Sequence, residues 1–319
     1  EDRIPRFRFW KVRSKSMIMA TGALERPLIF PNNDRPGIML ATAVSGYLNR
    51  YGVLTGKRII IFTNNSIGHR TASAISSAKA EVVTIIDSRP ESFGPWEQEN
   101  VTKGIPIRWQ SKVLNTKGRK HISGALVGSI NSQRQEWLGC DVLAISGGFT
   151  PTISLYGHTG GKLGWKEGQG TFVPDLSENN FTAVGLCNQD ETLYASLANG
   201  YSAGQRAASN LGYRFDQVWS PTVIGDDLLA TFDPMSPSIQ DSQSRKAFVD
   251  FQNDVTAADM SLAVREGYHS IEHVKRYTTL GMGTDQGKLG NLNGIELIAN
   301  ARGEAVQKVG TTRFRPPII

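Results

Sequence analysis

The sequence predicts an α/β fold in which one strand–helix–strand domain is inserted into another, followed by a mainly helical C-terminal segment. Three observations predict it. The β-branched runs Lys57-Arg58-Ile59-Ile60-Ile61-Phe62 and Glu81-Val82-Val83-Thr84-Ile85-Ile86-Asp87 flank an Ala- and Ser-rich stretch of helical spacing, and the whole has the length of a parallel βαβ crossover. Two further apolar strands, before Ala20-Thr21-Gly22-Ala23 and before Ser146-Gly147-Gly148-Phe149-Thr150-Pro151, end on small residues on either side of that unit. A strand at Phe181-Thr182-Ala183-Val184-Gly185-Leu186 then leads into a helix rich in Ala and Gly.

Taken in order, residues 7–20 alternate and then turn continuously apolar through Met17, Ile18 and Met19, the pattern of a hairpin feeding a buried strand. A connector with Pro27, Pro31 and Pro36 precedes an apolar-periodic helix over 41–50 that Gly52 ends. The βαβ unit follows, with its helix over 66–80. Residues 105–135 read as β structure with Gly and Asn turns, and 140–148 as a strand ending on small residues. Beyond Gly212, a stretch rich in Pro, Asp and Ser reads as a linker or surface strap. These elements give residues 1–51 as part of a first domain, 52–148 as the inserted domain, 149–212 as the return to the first, 213–245 as the strap and 246–319 as the helical segment. The sequence opens on Glu1, which leads us to expect further chain upstream.

Hydrophobic residues make up 39% and charged residues 20% of the 319, an ordinary balance for a globular chain and unlike that of a disordered one. The excess of Lys and Arg over Asp and Glu is 35 − 29 = 6 and dense only at 3–15, which favours an anionic cofactor or an acidic partner over nucleic acid. Two cysteines, Cys140 and Cys187, are too few for a disulfide framework or a four-cysteine metal centre, and suggest a reducing, cytoplasmic setting. No apolar run approaches the roughly 18 residues of a membrane span.

Phosphate recognition by a βα turn relies on glycines that let the backbone approach a pyrophosphate at a helix N-terminus, with an acidic residue about 20 positions on for the ribose. The corresponding positions here are Thr63, Asn65 and Gly68, with Asn64 between and Asp87 beyond. Only the last glycine is present, so two readings stand: a working nucleotide site, or a Rossmann-type fold that kept its shape and lost its ligand. Thr21, Gly22, Gly147, Gly148 and Gly185 occupy strand ends where small residues permit both a chain crossing and a close dinucleotide. In the C-terminal part, Thr279, Thr284, Gln286 and Lys288 lie in a Gly-rich stretch, 277–288, that offers hydroxyls, backbone N–H groups, an amide and a cation. That set suits a phosphate or a flavin edge; the plain alternative is an interdomain turn with Lys288 in solvent. His269 and His273 are four apart on an expected helix, but no third ligand accompanies them, so a solvated face is the better reading.

The order of these motifs resembles the flavoprotein family with two dinucleotide-binding domains that includes thioredoxin reductase, in which the second domain splits the first. The first domain's N-terminal glycine fingerprint is absent. More narrowly, Ala20-Thr21-Gly22-Ala23-Leu24-Glu25-Arg26-Pro27-Leu28, Asn32-Asn33-Asp34-Arg35-Pro36-Gly37, Tyr47-Leu48-Asn49-Arg50-Tyr51-Gly52, Ala247-Phe248-Val249-Asp250-Phe251-Gln252-Asn253-Asp254-Val255-Thr256 and Gly281-Met282-Gly283-Thr284-Asp285-Gln286-Gly287-Lys288 resemble the alpha subunit of heterotetrameric sarcosine oxidase.

The resemblance implies NAD on this chain, FAD and the amine-oxidising centre on a beta subunit, FMN between the two, and gamma and delta subunits completing the complex. It implies no catalytic residue here, and a C-terminal aminomethyltransferase-like domain outside this sequence. Large subunits of opine, proline or hydroxyproline dehydrogenases and of hydrogen cyanide synthase are related alternatives. Several of those carry an iron–sulfur segment, and two isolated cysteines cannot supply four cluster ligands. A reading of another class is a scaffold with vestigial nucleotide folds.

Overall fold

The structure, a computed structural model, describes residues 7–176, 181–214, 219–224 and 246–312. Most of the 213–245 strap and the Arg-Pro-Pro segment lie outside the described residues.

The chain enters through two short strands, β1 (Met17–Met19) and β2 (Ala23–Glu25), then β3 (Ile38–Leu40) and helix α1 (Ala41–Tyr51). The expected hairpin over 7–20 is not formed; only Met17–Met19 is regular in that segment. Gly52 ends α1 in the left-handed region at φ 65°, its N–H returning to Leu48 and Tyr47 carbonyls, a conformation that costs glycine no Cβ clash. The βαβ unit follows as β4 (Arg58–Thr63), α2 (Ser66–Ser77) and β5 (Glu81–Asp87), then α3 (Pro95–Thr102), β6 (Ile107–Arg108), a meander of β7 (Ser111–Lys117), β8 (Gly124–Ser129) and β9 (Gln135–Leu138), and β10 (Val142–Ser146).

Five of these strands form one parallel sheet in the order β3-β10-β4-β5-β6. The apolar runs of the sequence follow from burial on both faces. Because side chains alternate, Ile59, Ile61, Ile85, Val142 and Ala144 meet α1 and α2 in one core, while Ile60, Phe62, Ile86, Leu143 and Ile145 meet the meander in another. β3 pairs with β10 and α1 packs on α2, so residues 38–51 belong to the inserted sheet. The expected boundary at 52 therefore moves to before Ile38, because a strand of this sheet completes its ladder only beside β10.

The chain leaves through β11 (Phe149–Pro151), α4 (Ser154–His158), a hairpin of β12 (Leu163–Lys166) and β13 (Thr171–Pro174), β14 (Phe181–Ala183), a 3₁₀ turn at Gly185–Asn188 and α5 (Leu193–Ser209). β14 lies parallel to β1, with Met19 opposite Ala183, which brings the first domain's two remnants together.

The C-terminal unit is not wholly helical: β15 (Phe248–Asp250) and β16 (Val255–Thr256) precede α6 (Ala257–Arg265), α7 (Ile271–Thr278), α8 (Asn291–Arg302) and α9 (Val306–Val309). Its core joins Val249, Met260, Leu280 and Ile298 to Ile29 of the proline-rich connector. Thr256 caps α6, its Oγ1 accepting from the Asp259 N–H while Asp259 Oδ2 accepts from the Thr256 N–H at 2.9 Å. Thr256→Ala is expected to lower stability by about 1 kcal/mol, since one helix-end donor loses its acceptor; urea denaturation of the complete subunit reads this.

Candidate functional site

The decisive local feature is a two-strand antiparallel ribbon where the chain passes into and out of the inserted sheet. β2 and β11 pair with Ala23 opposite Pro151 and Glu25 opposite Phe149. Thr21 Oγ1 donates to the Thr152 carbonyl at 2.5 Å, and the Thr152 N–H donates to the Gly22 carbonyl at 2.9 Å. Arg26 continues the ribbon: its N–H donates to the Gly148 carbonyl and its carbonyl accepts from the Gly147 N–H, each at 2.8 Å. Thr21, Gly22, Gly147 and Gly148 thus belong to one crossing, as the order of the sequence motifs requires.

The glycines differ in what they do. Gly22 (φ 69°) has nothing within 4 Å of where a Cβ would stand, and Gly185 (φ 74°) has only Ser196 Oγ at 4.0 Å. Both leave bare backbone facing open space. Gly147, by contrast, lies so close to the Arg26 carbonyl that a Cβ would be 2.8 Å from it, so its smallness serves the crossing. The Gly185 N–H donates to Asp190 Oδ2 at 2.6 Å, and nearby Gln189 is buried with both side-chain polar atoms unpartnered. Glu25, also on the ribbon, receives the Thr42 N–H at 2.8 Å and so serves the N-terminus of α1; burial pushes its carboxyl pKa up, against the pull of its bonds to Ser146 and Thr42.

The second expected site, at the N-terminus of α2, is filled by the protein itself. Asn65 caps the helix, accepting from the Ile67 N–H at 3.0 Å and donating to the Ser146 carbonyl at 3.1 Å and to Asn64 Oδ1 at 2.9 Å. Thr63 Oγ1 is bonded to the Asn65 backbone on both sides, and a Cβ on Gly68 would stand 2.5 Å from Thr63 Cβ. The surviving glycine therefore admits the threonine side chain to the helix.

Asp87 has no exposed surface: His69 Nε2 lies 2.8 Å from its Oδ2, and Arg89 Nη2 donates to the same oxygen at 2.7 Å. Arg89 also donates to Glu97 Oε1 at 2.9 Å, which accepts Ser66 Oγ at 2.8 Å in the first turn of α2. His69 stacks on Trp109 with ring centroids 5.4 Å apart. Burial works against the Arg89 charge, but Asp87 and Glu97 outweigh it and push its pKa up. A carboxylate of the chain thus stands where a helix N-terminus would receive a phosphate. Neither Glu97 nor Arg89 was singled out by sequence reasoning; the signal was Arg89 two residues after an acidic strand end.

The 281–288 loop also differs from expectation in one respect. Most of its backbone N–H groups are not free: Gly281 donates to Asp250 Oδ2 at 2.8 Å, Asp285 to Gln252 Oε1 at 3.2 Å, Gln286 to the Gly283 carbonyl at 3.0 Å and Lys288 to the Asp285 carbonyl at 3.2 Å. Asp250 and Gln252 build the loop from within, because backbone donors drawn from water must be satisfied. Thr279 and Gln286 take positive φ, 66° and 54°, and Thr284 Oγ1 donates to Gln252 at 3.1 Å. The Lys288 ammonium is half-buried and unpaired among the described residues. His269 precedes α7 and His273 lies within it, both exposed, so they share no helical face. No group of three metal-ligating side chains occurs among the described residues, and burial with Asp141 pushes the Cys140 thiol up to about 12.

Residues 244–319 match the sarcosine oxidase A3 domain. Over 98% of its length the chain is 41% identical to the sarcosine oxidase alpha subunit of Rhizobium meliloti (strain 1021) and 35% identical to that of Corynebacterium sp. (strain P-1). This chain is a homologue of sarcosine oxidase alpha subunits. It spans about a third of their length, 31% and 33% respectively. An opine oxidase subunit from Rhizobium meliloti (strain 1021) is 21% identical over 96% of the chain and 74% of that protein. In three dimensions the alpha-subunit homologue superposes on L-proline dehydrogenase from P. horikoshii with TM-score 0.69 at 19% identity, over 95% of this chain and 57% of that one. T. acidophilum thioredoxin reductase matches with TM-score 0.52 at 21% identity, over 63% and 67%. Both likenesses show the fold, a Rossmann-like α/β arrangement with one domain nested in another. Among the described residues no helix is long and apolar enough to cross a membrane.

Proposed function

We propose that this chain is the dinucleotide-binding part of an oxidoreductase alpha subunit, in a sarcosine oxidase complex that converts N-methylglycine to glycine, a formaldehyde-level one-carbon unit and hydrogen peroxide. The observation that carries the reading is the convergence of Thr21, Gly22 and Gly185 beside the crossing ribbon, with both glycines' backbones open to a ligand. NAD fits that surface: glycines without side-chain cover allow close approach, and the unpartnered Gln189 amide can bond a ribose or an amide.

In this reading no residue of the chain takes part in C–H oxidation, which belongs to FAD on a beta subunit, with gamma and delta subunits completing a cytoplasmic heterotetramer. The expected result is that the complete subunit, gently purified, releases NAD on denaturation at about one per chain. A nucleotide-free protein would refute this and favour a scaffold.

For the inserted domain alone, the vestigial reading is the better one, supported by the Ser66–Glu97–Arg89–Asp87–His69 network. FMN at a subunit interface would meet the 281–288 loop through Lys288, since most of the loop's N–H groups are bonded internally. Lys288→Ala is expected to lower the FMN content of the complete complex several-fold, read from flavin absorbance after gel filtration. Unchanged flavin content would remove Lys288 from that role.

A further inference from the structure

Between the crossing ribbon and the A3 domain lies a cavity of about 40 Å³, room for roughly two or three waters or one small planar group. Its walls include Pro151 and Phe172 on one side and Leu292 of α8 on the other. Three of its lining residues, Thr150, Thr171 and Asn291, each carry a buried oxygen without a hydrogen-bond partner: the two hydroxyls and Asn291 Oδ1. Thr171 and Asn291 are 1% and 4% exposed. Buried polar atoms are nearly always paired, and three around one cavity, reached from separate segments of the chain, point to a shared ligand.

The chemistry of that ligand follows from the lining. No charged side chain is among the described residues that form it, so a phosphate, carboxylate or ammonium would enter uncompensated. Asn291 Oδ1 only accepts, so the ligand presents an N–H or O–H to it; threonine hydroxyls both donate and accept. A Cβ at Gly281 or Gly287 would overlap Asn291 Oδ1, so glycine at both positions accommodates that oxygen. Apolar walls with a few placed polar atoms suit a flat, neutral carboxamide on an aromatic ring.

The position supplies the rest. Thr150 stands two residues from Thr152, whose backbone is bonded to both Thr21 and Gly22. We infer that this cavity receives the carboxamide of the nicotinamide ring of the dinucleotide held at the Thr21–Gly22 turn, an assignment that rests on the NAD reading above. It makes the A3 domain, through Asn291, part of the dinucleotide site.

The test compares NAD with ADP-ribose, which has the same pyrophosphate and ribose groups but no nicotinamide, by calorimetric titration of the complete complex stripped of nucleotide. Thr150→Val and Thr171→Val keep shape and remove only an unpartnered hydroxyl, so neither threatens folding. Each is expected to weaken NAD about tenfold, the effect of one lost buried hydrogen bond, and to leave ADP-ribose binding unchanged. NAD affinity unchanged in both variants, or NAD and ADP-ribose weakened equally, overturns the assignment while leaving the NAD site intact. If the parent complex binds neither molecule, the NAD reading itself falls, and this one with it.

Discussion

Replacing Asp87 with alanine is expected to destabilise the protein by about 3–5 kcal/mol, because the change leaves the Arg89 guanidinium buried with only Glu97 as a counter-charge and removes the partner of His69. Asp87 has no exposed surface and accepts from the Arg89 backbone N–H at 2.9 Å as well, so the loss includes a backbone donor. Urea denaturation of the complete subunit reads the effect. The same variant separates two roles of that carboxylate. A structural carboxylate gives a large loss of stability with the nucleotide content of the surviving folded protein unchanged. A ribose ligand gives the reverse, a small change in stability with nucleotide lost. A destabilisation below about 1 kcal/mol would show that the network does not hold the inserted domain together.

Arg26→Ala is expected to cost about 3 kcal/mol and to loosen the A3 domain. Arg26 Nη1 pairs with Glu296 Oε1 of α8 at 2.9 Å, the side chains being 6% and 13% exposed, and Nε donates to the Gly147 carbonyl at 3.0 Å. One side chain thus ties the crossing to the C-terminal unit. Truncating it orphans a buried carboxylate and a carbonyl together. A double-mutant cycle with Glu296→Ala should give a coupling energy above about 1 kcal/mol, and limited proteolysis should cut earlier between the two units. The pair of bonds between the Asn33 side chain and the Phe248 backbone, at 2.8 and 2.9 Å, would still hold the domains loosely. Additive single-variant effects would show that Arg26 acts through Gly147 alone.

Much of the fold was legible because its causes are local or periodic. The β-branched runs at 58–63 and 81–87, the helix ended by Gly52 and the strand at 142–146 carry hydrophobic patterns that burial on two faces imposes. What could not be read was pairing. β2 and β11 are three residues each and lie more than 120 residues apart, so nothing in either segment names its partner. For the same reason the sequence left Ile38–Leu40 outside the inserted sheet.

The candidate site divides along that line. By itself the sequence determined the nested α/β architecture, the small-residue strand ends and the motifs shared with sarcosine oxidase alpha subunits, all of which depend on residue type and spacing. Only the tertiary structure decided how these residues are used. It left Gly22 and Gly185 open, closed the α2 turn with Thr63 and Glu97, tied up the Gly281 and Asp285 amides on Asp250 and Gln252, and brought Thr150, Thr171 and Asn291 around one cavity. Whether a polar group is free for a ligand depends on which partner the folded chain brings within about 3 Å of it, and that distance is set by long-range packing.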